Sequence, residues 1–157
     1  MRIHLLAVGA RMPDWVYTAF DDYARRMPPH CALLIREIPA EKRGKRADLQ
    51  RIRDVEGEHL LASIPTGSKV IALDVDGKAW STEQLAKQLE QWMASGQDIA
   101  LLVGGPEGLS PASLQRAEQC WSLSPLTFPH PLVRVIVAEQ LFRAWSIISN
   151  HPYHRGG

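Results

Sequence analysis

The sequence predicts an α/β fold: a mainly parallel sheet with flanking helices. Three observations predict it. Short apolar runs alternate with helix-period segments along all 157 residues. The run Ile99-Ala100-Leu101-Leu102-Val103 is apolar throughout, as in a central parallel strand buried on both faces. Helix-start signals separate the later runs, Ser81-Thr82-Glu83-Gln84 with capping-box spacing and Ser110-Pro111 with serine at the cap.

The elements follow in order. Residues 3–8 read as a first strand. Pro13-Asp14 opens a helix that Pro28-Pro29 stops. Residues 32–38 read as a second strand, and residues 42–45 as a basic loop. Between 47 and 64, Leu49, Ile52, Val55, Leu60 and Ile64 suit a helix with one buried face. Residues 69–75 form a third strand, closed by the turn signal Asp76-Gly77. The capped helix from Ser81 ends near Ser95-Gly96. Residues 99–103 are the fourth strand, the helix from Ser110 follows, and 120–123 is a fifth strand. Residues 132–150 make the last helix. The length fits one domain over residues 1–157.

Composition narrows the function classes. Net charge is +1, so no bulk positive field marks a nucleic-acid binder. Locally, residues 36–53 hold Arg36, Lys42, Arg43, Lys45, Arg46, Arg51 and Arg53 against Glu37, Glu41 and Asp48. That stretch is either a solvated face or a contact for an RNA backbone. Cys31 and Cys120 stand in apolar segments and are expected to be buried, reduced thiols. No secretory leader or membrane span is read from the sequence, so the expected compartment is the cytoplasm.

In open parallel sheets, ligands sit beyond the carboxyl ends of the strands. Residues 74–77, 104–108 and 124–131 fall there and suggest a pocket with three walls. Gly104-Gly105-Pro106-Glu107-Gly108 lets the main chain turn sharply and a ligand approach the backbone. It is neither a dinucleotide fingerprint nor a P-loop. Without a ligand it is a tight strand-to-helix turn, with Glu107 a helix-start carboxylate. Residues 124–131 carry three prolines and are stiff enough to wall a flat ring, or to be a rigid connection.

The last helix is apolar nearly all round, as in a central helix or one shared with a second copy. Arg134, Glu139 and Arg143 interrupt it as paired, solvated or functional charges. The tail Asn150-His151-Pro152-Tyr153-His154-Arg155 packs proton-moving, stacking and phosphate-pairing groups together. A disordered tail is the plain alternative. His151, His154 and His130 lack a carboxylate or thiol to complete a metal set, and no metal is expected.

Met12-Pro13-Asp14-Trp15, Ile38-Pro39-Ala40 with Lys42-Arg43-Gly44-Lys45, Leu73-Asp74, the 104–108 turn with Leu109-Ser110-Pro111, His130-Pro131-Leu132-Val133-Arg134-Val135 and the 151–155 tail occur in this order. Together they resemble the ribosomal RNA large-subunit methyltransferase H family of the SPOUT class, over essentially the whole chain. The resemblance implies a C-terminal trefoil knot within roughly residues 100–157, against the general rule that chains do not thread loops. It implies a homodimer and S-adenosyl-L-methionine as methyl donor. The implied reaction is methylation of N3 of a pseudouridine in 23S rRNA within the assembled 70S ribosome. It implies donor contacts at Leu73, Gly104, Leu123, Ser124, Pro125, Leu126, Thr127 and Phe128. It places catalytic groups at Tyr153, His154 and Arg155, with Arg143 on the preceding helix.

Methyl transfer to a ring nitrogen needs an in-line approach, loss of the nitrogen's proton and exclusion of water. His154 is a candidate base, Arg155 or Arg143 a candidate stabiliser, and Arg134 a candidate phosphate partner. On this reading, turn and tail form one site, and charge reversal at Lys42, Arg43 and Lys45 weakens ribosome docking without touching donor affinity. Two rival classes are a non-catalytic ribosome-binding factor and a small hydrolase using His154 with Ser124 or Ser146.

Overall fold

The computed structural model describes residues 1–156; Gly157, the last residue of the domain and knot ranges read above, lies outside them. The strands are β1 (Arg2–Val8), β2 (Ala32–Ile38), β3 (Lys69–Ala79), β4 (Ile99–Val103) and β5 (Gln119–Ser122). They form one sheet in the order β2-β1-β4-β3-β5, with every neighbouring pair parallel. The helices are α1 (Asp14–Arg26), α2 (Leu49–Ala62), α3 (Thr82–Ser95), α4 (Pro111–Arg116) and α5 (His130–Ile148).

Strand alternation builds two cores. Ile3, Leu5 and Ala7 of β1 and Ile99, Leu101 and Val103 of β4 face one layer. There they meet Phe20 of α1, Leu85, Leu89 and Trp92 of α3, and Leu141 and Phe142 of α5. Leu6, Val8, Ala100 and Leu102 face the other layer, with Leu60 of α2 and Leu109. Every residue of β4 is buried, as its sequence requires. Truncating one of these leucines to alanine costs about 2–5 kcal/mol.

Local chemistry explains the element boundaries. The capping box forms: Gln84 N donates to Ser81 Oγ at 3.1 Å and Ser81 N to Gln84 Oε1 at 2.8 Å. Gly96, with φ +70°, ends α3. The helix read from residue 47 starts at Leu49, because the Asp48 side chain accepts Arg51 N at 3.1 Å and caps there. The last helix starts at His130, two residues earlier than its apolar pattern, since Pro131 is tolerated in a first turn.

Asp76-Gly77 is not the end of the third strand. β3 runs on to Ala79, and Leu73 and Lys78 both register with Trp121, so residues 74–77 bulge from the ladder. A Cβ on Gly77 would lie 2.8 Å from the Cys120 carbonyl, a clash that only glycine avoids. An Asp-Gly pair signals a turn and a bulge alike, and neighbouring-strand pairing decided between them.

The tail is ordered against α5. Asn150, at φ +57°, takes the left-handed position after the helix. His151 N then donates to Ser146 O at 2.8 Å and Asn150 N to Ile147 O at 3.3 Å, the paired bonds of a Schellman cap. Pro152–Gly156 continue as a 3-10 turn. Cys31 is buried in a 3-10 turn before β2, and burial raises its thiol pKa to about 11. Cys120 is half-buried rather than enclosed, and both thiols are free.

Candidate active site

The start of the β3 bulge at Leu73–Val75, the carboxyl end of β4 and the chain leaving β5 enclose a cavity of about 470 Å³. That volume suits a nucleoside-sized ligand. All three segments read from the sequence meet in it. Leu73, Gly104, Leu123, Ser124, Leu126, Thr127 and Phe128 line the cavity, and Pro125 is the one expected donor contact that does not. Trp121 and Val133 also line it, and neither was read from the sequence as a donor contact. Trp121 is held by stacking on Trp80, centroids 5.5 Å apart.

Glycine is required where the turn closes. A Cβ on Gly104 would lie 2.5 Å from the carbonyl carbon of Gly108, which itself has φ +77°. Gly108 N donates to Gly105 O at 2.9 Å, with Pro106 and Glu107 as the central residues. The turn therefore shows backbone to the cavity, as a docking surface for a polar ring edge needs. Ser124 Oγ accepts Leu126 N at 3.0 Å and stiffens the third wall.

Glu107 is not simply a helix-start carboxylate. Arg43 Nε donates to both its oxygens, at 3.1 and 3.0 Å, and Arg43 Nη2 also reaches it. The same Nη2 donates to Glu56 Oε2 at 3.1 Å, and Glu56 is only 2% exposed. The hydrogen bond from Arg43 holds the Glu107 carboxyl below its usual range. Arg43 therefore leaves the basic docking arm read from the sequence and turns inward, while Lys42, Lys45 and Arg46 are exposed.

Arg134 is also not a phosphate partner. It is 1% exposed, with Nη1 donating to Glu37 Oε2 at 2.6 Å and Nη2 to Gly9 O at 2.8 Å. It ties α5 to the ends of β1 and β2. His130, one turn earlier, lines the cavity with a buried, unpartnered Nδ1. Burial, then the Arg134 and Arg43 charges, lower its pKa, so it is neutral near pH 7.

The tail forms a second constellation. Ser146 Oγ donates its one hydrogen to Arg143 O at 2.6 Å and lies 3.2 Å from His154 Nδ1. With that hydrogen on the Arg143 carbonyl, the tautomer that fits the contact carries its hydrogen on His154 Nδ1. Arg143 binds Glu139, Nε to Oε1 at 2.8 Å, and its guanidinium sits 5.0 Å above the Tyr153 ring. Tyr153 OH donates within reach of Glu139 Oε1, at 3.2 Å. Burial, the Tyr23 hydroxyl and Glu139 all raise the Tyr153 pKa, so the phenol stays protonated. Arg155 Nη2 donates to Asn150 Oδ1 at 3.0 Å and is exposed.

Turn and tail do not meet within one chain. Val133 and His130 border the cavity from the start of α5, whereas His154 is bonded to Ser146 near its end. The 13 residues from Val133 to Ser146 span about 20 Å of helix. The sequence brought both groups onto one element without revealing that they occupy its opposite ends. The hydrolase reading fails here too: Ser146 is fully buried with its proton committed, and Ser124 stands at the other end from His154.

Fold and cavity define a three-layer parallel α/β domain with a cavity of nucleoside size beside its strand tips. The sequence profile described as "Predicted SPOUT methyltransferase" matches residues 1–154. The chain is 60% identical over 155 residues to the ribosomal RNA large subunit methyltransferase H of Thioalkalivibrio sulfidiphilus, covering 99% of each chain. The chain belongs to the SPOUT methyltransferase family. Its fold is shared with a probable methylase family protein from Haemophilus influenzae Rd KW20, at TM-score 0.53, 12% identity, and 97% and 69% coverage of the two chains. It is also shared with a putative methylase family protein from Neisseria gonorrhoeae, at TM-score 0.51, 14% identity, and 90% and 80% coverage.

Proposed function

We propose that this chain is a 23S rRNA (pseudouridine-N3)-methyltransferase that uses S-adenosyl-L-methionine and acts on the assembled ribosome. The 60% identity to a protein named as a ribosomal RNA large subunit methyltransferase supports this reading. The observation that carries it is the convergence of seven of the eight expected donor contacts on one cavity.

The residues present fit that donor. The backbone of the 104–108 turn offers amides and carbonyls to an adenine edge, and the bare Cα of Gly104 lets that turn close against Gly108. Leu123, Leu126 and Phe128 give apolar faces for the ring. When bound, the donor supplies an electrophilic methyl group on sulfur. The remaining chemistry falls to the tail: His154 Nε2 accepts the imide proton, Arg143 and Arg155 hold negative charge, and Tyr153 positions Arg143. A protonated Tyr153 is a hydrogen-bond donor or stacking surface here, not the base.

Two copies complete the site in this account. An antiparallel pairing of two α5 helices places the tail of one chain beside the cavity of the other. The outer stripe of α5, including Leu132, Ile136, Glu139, Arg143 and Ile147, is only partly covered within one chain. We further propose that residues 100–157 are threaded as a trefoil knot and that the exposed Lys42, Lys45 and Arg46 meet rRNA phosphates. An rRNA substrate places the protein in the cytoplasm; in the described residues no helix is long and apolar enough to cross a membrane.

The test is transfer of a labelled methyl group to 70S ribosomes, free subunits and naked rRNA, with mapping of the modified base. The reading expects one labelled pseudouridine at N3, with intact ribosomes preferred. Donor binding with no transfer to any rRNA form contradicts it.

A further inference from the structure

Arg43 does not face solvent as Lys42 and Lys45 beside it do. Arg43 reaches from the loop after β2 to Glu107, at the tip of the 104–108 turn, and to Glu56 on α2. Its Nη1 also donates to the Glu41 carbonyl at 2.9 Å, which fixes the guanidinium plane. Glu56 is anchored in turn, accepting Glu41 N at 3.0 Å from a position 2% exposed. The guanidinium is therefore a rigid bracket between a helix and the turn.

The turn lies directly on this bracket. A Cβ on Gly105 would stand 3.3 Å from Glu56 Oε1 and 3.5 Å from Arg43 Nη2. Pro106 and Gly108, on either side of Glu107, line the cavity, whereas Arg43 does not. One guanidinium separates two carboxylates, so its removal leaves Glu56 and Glu107 to repel each other. That repulsion acts on the peptide groups facing the donor. A lysine carries the charge but not the planar fork that serves both carboxylates at once.

We infer that Arg43 is a positioning residue of the methyl-donor pocket, acting through Glu107 to set the 104–108 backbone. This rests on the reading of the cavity as the donor site. It also separates Arg43 from the exposed Lys42 and Lys45, whose surroundings suit docking instead.

The experiment is calorimetric titration of S-adenosyl-L-methionine into the full-length protein, paired with steady-state kinetics on ribosomes. The variants are Glu107→Gln, Arg43→Lys, Arg43→Ala, the Arg43→Ala/Glu107→Gln double variant and a Lys42→Ala/Lys45→Ala control. Displacing the turn should raise the donor Kd and KM about tenfold in Glu107→Gln and Arg43→Ala, with kcat at saturating donor within about threefold of wild type. The double variant should be no worse than either single one, Arg43→Lys should recover part of the loss, and the control should bind donor normally. Because Arg43→Ala strands the buried Glu56, a failure of that variant to fold leaves Glu107→Gln and Arg43→Lys to decide. Wild-type donor affinity in Glu107→Gln and Arg43→Lys overturns the inference, even if both melt at a lower temperature. A wild-type protein giving no heat with the donor refutes the donor reading itself, and the inference with it.

Discussion

His154 Nδ1 lies 3.2 Å from the Ser146 hydroxyl oxygen, and that contact sets which imidazole nitrogen is free. Ser146 gives its hydrogen to the Arg143 carbonyl, so the tautomer that fits carries its hydrogen on Nδ1, and the proposed mechanism gives Nε2 the substrate proton. Ser146 near the end of α5 thus orients the imidazole of the tail that follows it, the group proposed above as the base.

Replacing Ser146 with alanine should release this tautomer. Loss of the bond is worth about 1 kcal/mol, equivalent to roughly a fivefold to tenfold fall in kcat. Donor affinity should not change, because Ser146 is remote from the cavity. Nitrogen NMR of the imidazole and ribosome methylation kinetics check this together. An unchanged tautomer ratio and rate would remove Ser146 from the mechanism.

Gly104→Ala places a methyl group where the Gly108 carbonyl carbon is 2.5 Å away. The turn must open, at a cost on the order of 1–3 kcal/mol of stability. Donor affinity should fall by about 100-fold or more, since the backbone that faces the donor is displaced. Thermal melts and donor titration read the two effects separately. Retained affinity would show that the turn does not contact the donor.

Glu107 gives a stability dependence on acid whose sign is fixed by its environment. Its folded pKa lies below its ordinary value of 4.5, chiefly through the Arg43 hydrogen bond. Its contribution is therefore complete above the unfolded value and is lost as pH falls through the lower folded one. Glu107→Gln should flatten the fall in melting temperature below about pH 4.5 relative to wild type. Parallel acid profiles for the two proteins would contradict the pairing.

Tyr153 acts at the opposite end of the scale. Burial first, then Tyr23 and Glu139, raise its folded pKa above the ordinary phenol value of 10.0. The protonated form is favoured by folding, so stability is complete below the unfolded value and declines as pH rises past it. Tyr153→Phe should lessen that alkaline decline and leave the pH profile of kcat/KM near neutrality unmoved. A neutral limb that vanished in Tyr153→Phe would show that the phenol itself titrates in the reaction.

The sequence showed the layered α/β fold through elements whose signals are local. β4 is apolar at every position, and Ser81 with Gln84 caps α3 as their spacing requires. It was misleading where a signal has two structural meanings. Asp76-Gly77 marks a bulge here, because the partner strand continues past it. Arg43 sits in a basic run, yet two carboxylates from distant parts of the chain capture it. The cavity was legible because two glycine- or proline-rich segments follow strands and a third interrupts β3, and a parallel sheet gathers such segments on one side. The separation of cavity and tail was not, since it depends on which end of a 19-residue helix each group meets.

The central claim is that the two ends of α5 cooperate only across two copies of the chain. It is tested most directly by co-producing Gly104→Ala, expected to lack a competent cavity, with His154→Ala, which lacks the proposed base. Each variant alone should be inactive. In mixed dimers, one cavity receives an intact tail from the other chain, so random pairing should restore about a quarter of wild-type methylation. No activity above the separate variants, with mixed dimers shown to be present, would mean that cavity and tail belong to the same chain and would contradict the account.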